Sequence, residues 1–469
     1  MRSIATLGGV TAIAIEEEAG TREDVGLAHV ATASFLASRL VPAGGFAVGL
    51  AGGAALARAA QRHGARAGYG ASLAAMLQTV AIMGPARISV PLTQALSAPM
   101  LGRLQARGHG TAARFVACAA IRLATQVLGA AFYVWIVLGG VDAYAGSYDA
   151  LLARLPFVPA GTTAALGATV LGIAAWTIVA SAVQVLIYAR ALDDWRAAED
   201  PGHPTRSRGG GAERRDDPGS ELARSRTGIA ATGRPALGAG TPSGGDRAPR
   251  SDAAALPGGA RRGRRFDPRA VALAAALAFA LLLAGRTWAL LGAIALWLAL
   301  AWAVARGDRE PLRAGMVLTA LIAGSVLAFG LVGGIGVGET LRRTLRAALL
   351  VLVATWLRAA AGEDGLREVA RRSLGRLRRL PSAREAVAVL DRLGPATTLA
   401  RSGRALAHAV RGTPKHLGAI AEAVLGWMGG EVARHRPVAP SAPVVLRARF
   451  ADAALVAVAA ATAVAFAAG

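Results

Sequence analysis

Long uncharged apolar runs alternate along this chain with short basic or turn-forming breaks. In the first half the runs are Val25–Ser38, Leu40–Ala57, Ala67–Ala86, Ile88–Gly102, Leu123–Val141 and Leu155–Ala189. In the second they are Ala270–Gly285, Thr287–Ala305, Ala314–Gly338, a helix of about Leu341–Ala361 and, last, Ala453–Gly469. A helix needs roughly 20 apolar residues to cross a bilayer. The pattern therefore predicts an all-α, polytopic membrane protein with about six spans followed by about five. Between the two sets, residues 193–265 are rich in Gly, Pro, Ser, Arg and Asp, with almost no apolar clustering. Such a segment cannot bury enough surface to offset its ordering entropy, so it reads as a disordered basic linker. The organisation that follows is a membrane module over 1–192, the linker, and a second membrane module over 266–469.

The second module opens on a local signal. Four arginines in the five residues 261–265 stop at Phe266-Asp267-Pro268-Arg269, and sixteen uncharged residues follow. Asp is a good N-cap, and proline is tolerated just inside a helix start because its missing N–H would be unpaired there anyway. After the fourth span of this module the pattern changes. Leu366, Val369, Ala370, Leu374 and Leu377 fall at helical spacing with arginines between them, as do Ala386, Val389, Leu390 and Leu393. Ala405, Leu406, Ala409 and Val410, then Leu417, Ile420, Ala421, Val424 and Leu425, continue it. Residues 363–449 are thus predicted as amphipathic cytoplasmic helices, each with one apolar stripe. Those stripes fit either the anionic inner leaflet of the bilayer or a protein partner.

Charge orients the spans. The chain carries a net +23, and Leu341–Phe450 alone holds 20 Lys+Arg against 7 Asp+Glu. With the N-terminus inside, six spans put Arg58, Arg62 and Arg66, then Arg103, Arg107 and Arg114, and then the linker in the cytoplasm, as the positive-inside rule requires. Asp142 and Asp149 are left in a short outer loop. Composition agrees: 54% of residues are hydrophobic and 17% charged, where soluble proteins have about 25% charged. Lys415 is the only lysine among 52 basic residues, which together with the alanine and glycine excess points to a GC-rich genome; a prokaryotic plasma membrane is the expected location. Cys118, the single cysteine, excludes an intramolecular disulfide and a multi-cysteine metal site. Lys415 sits in "GTPKHL", so there is no Walker A loop, and there is no HExxH or Gly-x-Ser-x-Gly. No enzyme, cofactor or metal site is expected, and no nucleic-acid module is visible.

The order of parts in the second module resembles the transmembrane T component of energy-coupling factor (ECF) transporters, the family that includes the cobalt-transport Q proteins. "RFDPR" precedes a helical hairpin, "LRRTLRAALLVLVATWLRAAAG" is similar to the family's arginine-bearing fourth span, and "SLGRLRRL" to the lead into its first coupling helix. The resemblance covers about residues 265–469. It implies two short Ala-Arg-Gly motifs, each ending a coupling helix and seating in a cytoplasmic ABC-type ATPase subunit. The first matches Val410-Arg411-Gly412, with valine for alanine. The second matches Ala433-Arg434-His435, with histidine for glycine. An arginine at a helix C-terminus suits the dipole and can pair bidentately with a partner carboxylate. The resemblance makes the first module a possible substrate-binding S component, with Ala33 and Ala37 as the small-residue face that meets the T component.

Polar groups at membrane depth are costly and often mark a pathway. Gln78, Arg87, Gln94, Arg122 and Gln126 are the candidate substrate contacts, for a small solute of vitamin or metal-ion class. Without the resemblance, the same pattern suits a multi-pass scaffold whose basic helices bind anionic lipid or a protein. The topology is open to a direct check. Reporter fusions at Gly210 and Arg411 should give cytoplasmic signals and one at Gly469 an extracytoplasmic signal; a cytoplasmic signal at Gly469 removes the five-span second module.

Overall fold

A computed structural model describes residues 23–41, 45–85, 89–152, 161–199, 266–305, 309–334, 336–413, 417–435, 437–439 and 449–468. The linker lies outside the described residues apart from its first few positions, which continue a helix. Among the described residues the regular structure is helical throughout. The elements of the first half are α1 (residues 23–37), α2 (Gly45–Met83), α3 (Ser89–Ala106), α4 (Thr111–Ala131), a π-helical turn (Phe132–Val137), α5 (Val141–Leu152) and α6 (Thr162–Glu199). Those of the second are α7 (Pro268–Ala284), α8 (Trp288–Ala305), α9 (Arg309–Val332), α10 (Val337–Arg376), α11 (Pro381–Arg392), α12 (Ala396–Arg411), α13 (Leu417–Arg434) and α14 (Phe450–Ala468).

The protein is an α-helical membrane protein by the length and hydropathy of its helices. Among the described residues four stretches are long and apolar enough to cross a bilayer: Thr111–Ile136, Thr162–Arg196, Leu312–Val332 and Val337–Arg376. Pro268–Ala284, Trp288–Val304 and Phe450–Ala465 are apolar but shorter. The early runs are organised differently. Leu40–Ala57 and Ala67–Ala86 fall largely within α2, which doubles back at Gly64 (φ 86°, ψ 170°). Residues eight apart on a straight helix are about 12 Å apart, yet a Cβ on Gly68 would collide with Ala60. A glycine at the bend and another where the arms touch make this hairpin possible. Asp142 and Asp149 do not sit in a loop, because Val141–Leu152 is helical. Asp149 accepts a hydrogen bond from the Gly161 backbone N at 2.7 Å.

The opening of the second half forms as its sequence predicts. Asp267 caps α7, its carboxylate accepting from Arg269 N at 2.8 Å. Asp452, at the start of α14, accepts from Asp267 N at 2.7 Å and from Arg449 N at 2.6 Å, so α7 and α14 begin side by side. Trp297 and Trp356 pack edge to face, 5.2 Å between centroids, in the core of α7, α8 and α10. Gly362 (φ 66°, ψ 167°) breaks α10 where the apolar span gives way to the amphipathic segment.

Both halves, without the linker, form one compact unit. The apolar stripes of α11–α13 are not left for lipid: Val389, Leu390, Leu406, Val410, Val424 and Met428 share a core with α1 and α2. Residues 24–38 are buried on every side. At the opposite end, arginines of the second half hold the end of the first. Arg346, buried on α10, donates to Ile136 O at 2.9 Å and to Leu282 O and Leu283 O at 2.5 and 2.8 Å. Arg286 donates to Trp135 O and Gly139 O, each at 3.1 Å. The π turn and the end of α7 leave carbonyls without intrahelical partners, and these guanidinium groups satisfy them. Arg346→Leu should lower the thermal transition of the purified protein by the equivalent of about 1–3 kcal/mol, the cost of orphaned buried acceptors. Arg342→Leu, on the same helix but more exposed, should shift it far less; equal shifts contradict the clamp.

Candidate functional site

Two polar constellations stand out, one inside the first half and one where the halves meet. The first is built by α3, α4 and α6. On α6, Thr177, Ser181, Gln184 and Tyr188 follow the spacing that places side chains on one helix face. Thr93, Gln94 and Ser97 of α3 are buried opposite them, with Cys118 and Arg122 of α4. Arg122 donates through Nη2 to Gln184 Oε1 at 2.5 Å, and Gln184 Nε2 donates to Ser97 Oγ at 2.8 Å. Tyr188 Oη donates to Gln94 Oε1 at 2.6 Å. Gly53 of α2 makes room for this pair, since a side chain there would strike the tyrosine hydroxyl. Phe46, at the first turn of α2, places its ring centroid 5.9 Å from the Arg122 guanidinium carbon, and Trp176 tilts against Phe46 at 5.6 Å.

This cluster unites two of the five candidate substrate contacts, Gln94 and Arg122. Gln126 is half-buried one turn further along α4. Arg87 lies outside the described residues. Gln78 belongs elsewhere: it donates to Glu363 Oε1 at 2.9 Å, and the same oxygen accepts from Ala396 N at 2.9 Å. It ties α2 to the break in α10 and the start of α12, with burial raising the Glu363 pKa. Gln184, a further polar residue within the apolar runs that the sequence points to, joins Gln94 and Arg122, and Ser97 and Tyr188, which it does not single out, complete the cluster. The polar periodicity of α6 was the available signal.

The second constellation joins α1 to α12 and α13. A Cβ on Gly403 would lie 2.9 Å from Ala33 O and 3.5 Å from Ala37 N, so the two helix backbones touch along the Ala33–Ala37 face. Beside that contact, Ser402 Oγ donates to Glu431 Oε1 at 2.6 Å and lies 3.1 Å from His29 Nε2. The serine proton being engaged, the His29 tautomer that fits carries its proton on Nε2. His435 stacks on His29 with ring centroids 4.2 Å apart. Hydrogen bonding from His29, assisted by Ser402 and opposed by burial, holds the Glu431 carboxyl at about 2. Burial, and then the neighbouring His29, push the His435 imidazole down to about 4.

The two Ala-Arg-Gly-like triplets end α12 and α13. Val410 is buried, whereas Arg411 and Gly412 are exposed. Arg411 Nη2 donates to Leu40 O at 2.7 Å, just beyond the end of α1. Ala433 and Arg434 are exposed, Arg434 bonding Gly430 O at 2.9 Å, but His435 turns inward to His29. No group of three or more potential metal ligands is assembled among the described residues. Compared with known protein families, curated proteins and solved structures, the chain has no match.

The joint should loosen in acid. His435 is depressed from 6.5 to about 4, so the unfolded chain binds the extra proton between those values and stability is lost as pH falls through that window. Glu431, depressed from 4.5 to about 2, adds a further loss below 4.5. The thermal transition of the wild type should therefore fall between pH 6.5 and 4, and His435→Phe, which keeps a stacked ring without a titrating group, should flatten that part of the profile. Identical slopes for the two proteins would mean that His435 does not carry it.

Proposed function

We propose that this chain is the membrane part of an ECF-type transporter, with a substrate-binding first half and a coupling second half fused in one polypeptide. Separate cytoplasmic ABC-type ATPases would drive it in a prokaryotic plasma membrane. The observation that carries the reading is the backbone contact between the Ala33–Ala37 face of α1 and Gly403 of α12. A small-residue face on the solute-binding half, seated on a basic amphipathic helix of the other half, is the arrangement such coupling needs. Motion delivered to α12 by a docked ATPase would reach α1 directly, through rigid helices in van der Waals contact.

In this reading the first half crosses the bilayer through α4 with its π turn and α6, while α1 and α2 pack with α11–α13. The second contributes five spans, from α7, α8, α9, the first part of α10, and α14. Arg411 and Arg434 end α12 and α13 with exposed guanidinium groups, available to carboxylates of an ATPase. The scaffold reading allowed the apolar stripes of α11–α13 to meet anionic lipid or a protein partner; those stripes are packed against α1 and α2.

Co-purification from native membranes tests the proposal. Wild-type protein should bring down an ATPase subunit, Arg379→Glu should retain it, and Arg411→Glu should lose it, since breaking a buried charged pair at an interface costs roughly 2–5 kcal/mol. Arg411→Gln keeps a donor for Leu40 O but not the charge, and should lose the subunit as well. Absence of an ATPase from the wild type, or equal loss in Arg379→Glu and Arg411→Glu, overturns the reading.

A further inference from the structure

Three arginines are buried below a tenth of their surface among the described residues: Arg58, Arg122 and Arg346. A buried guanidinium is tolerated only when acceptors surround it. Arg346 has three backbone carbonyls. Arg58 donates to Gln61 Oε1 at 2.7 Å and stands in the field of Glu23. Arg122 has neither carbonyl nor carboxylate. Its side-chain partners are neutral, the Gln184 amide oxygen and the Cys118 thiol; Phe46 covers it, and its Nε–H is buried without an acceptor. Arg122 stands near the middle of Thr111–Ile136, a stretch long and apolar enough to cross a bilayer.

Side chains of α3 and α6 add further hydrogen-bonding groups to the cluster. Tyr188 occupies Gln94 Oε1, leaving that amide its two N–H groups. Thr177 Oγ1, on the same face of α6, is buried with no hydrogen-bond partner. Gln184 is held at both ends, to Arg122 and to Ser97, and so fixes the guanidinium in place. A fixed cation with spare donors and no counter-charge is half of a recognition pair.

We infer that Arg122 anchors the carboxylate of a small organic monoanion, which is the solute this protein carries. The inference rests on the first half being the substrate-binding half. One guanidinium neutralises one negative charge; a phosphate monoester would bring a second charge into a low-dielectric interior with nothing to balance it. A metal cation would be repelled by Arg122 and would find no cluster of ligands among the described residues. Of the two solute classes left open by the sequence, vitamin-like and metal ion, the site selects an organic acid. Phe46, half-buried at the start of α2, covers the guanidinium and must move aside for the ligand.

The full chain in lipid nanodiscs tests this without an ATPase. Benzoate and octanoate are the probes, with benzamide, octanamide, inorganic phosphate and Co2+ as controls, and binding is read as a saturable rise in thermal transition. The carboxylates should stabilise the wild type and the controls should not. Arg122→Gln should weaken the response about ten- to hundredfold, the range for a hydrogen bond to a charged group, and Arg122→Lys should keep part of it. In the absence of probe, Arg122→Gln should leave the thermal transition unchanged or raised, because it removes an unbalanced buried charge. If Arg122→Gln lowers the probe-free transition, or if amides act as well as carboxylates, or if no carboxylate acts, the inference is overturned. Failure of ATPase co-purification with an intact carboxylate response would instead remove the transporter assignment and leave the anion site standing.

Discussion

Helix ends leave carbonyls that the helix itself cannot satisfy. In this protein arginines from elsewhere in the chain do so repeatedly. Arg411 reaches Leu40 at the end of α1, Arg358 reaches Ile82 at the end of α2, and Arg286 and Arg346 reach the π turn that ends α4. Arg346 also takes the end of α7, and Arg367 takes Leu390 and Leu393 at the end of α11. The guanidinium suits this task because it is planar, always charged and carries five donors. Its attraction to the negative end of a helix adds to each bond.

Most of these bonds cross between the halves, so they fix how the two sets of helices meet. At one end the clamp is Arg286 and Arg346 on the π turn. At the other, Arg358 and Arg411 act beside the packing of α1 against α12 and the Ser402–Glu431–His29 chain. The linker does not have to hold the halves together, because helix ends and small-residue faces already do. Against this background Arg122 differs, a buried arginine held by a side-chain amide and not by a helix end.

The same logic changes the meaning of composition. An arginine-rich chain reads first as a GC-rich genome and a positive-inside topology. The packing of the arginines adds a role that no count could suggest, since a cap depends on a carbonyl distant in sequence: 371 residues separate Arg411 from Leu40 and 210 separate Arg346 from Ile136.

The apolar runs, the Asp267-Pro268 helix start, the change of pattern after Ala361 and the stripes of α11–α13 were legible in the sequence. These are local properties, set by the helical period, by hydropathy and by the capping chemistry of one or two residues. Gly64 reversing α2, the helical state of Asp142 and Asp149, and the full burial of α1 were not legible, because each depends on which surfaces are covered. Candidate polar residues could be named from their cost at membrane depth, but not sorted. Only the folded chain brought Gln94 and Arg122 to Gln184 and Tyr188, sent Gln78 to Glu363, and turned His435 onto His29. Periodicity assigns a residue to a helix face, whereas the partner across that face is chosen by contacts between distant segments, which no local pattern encodes.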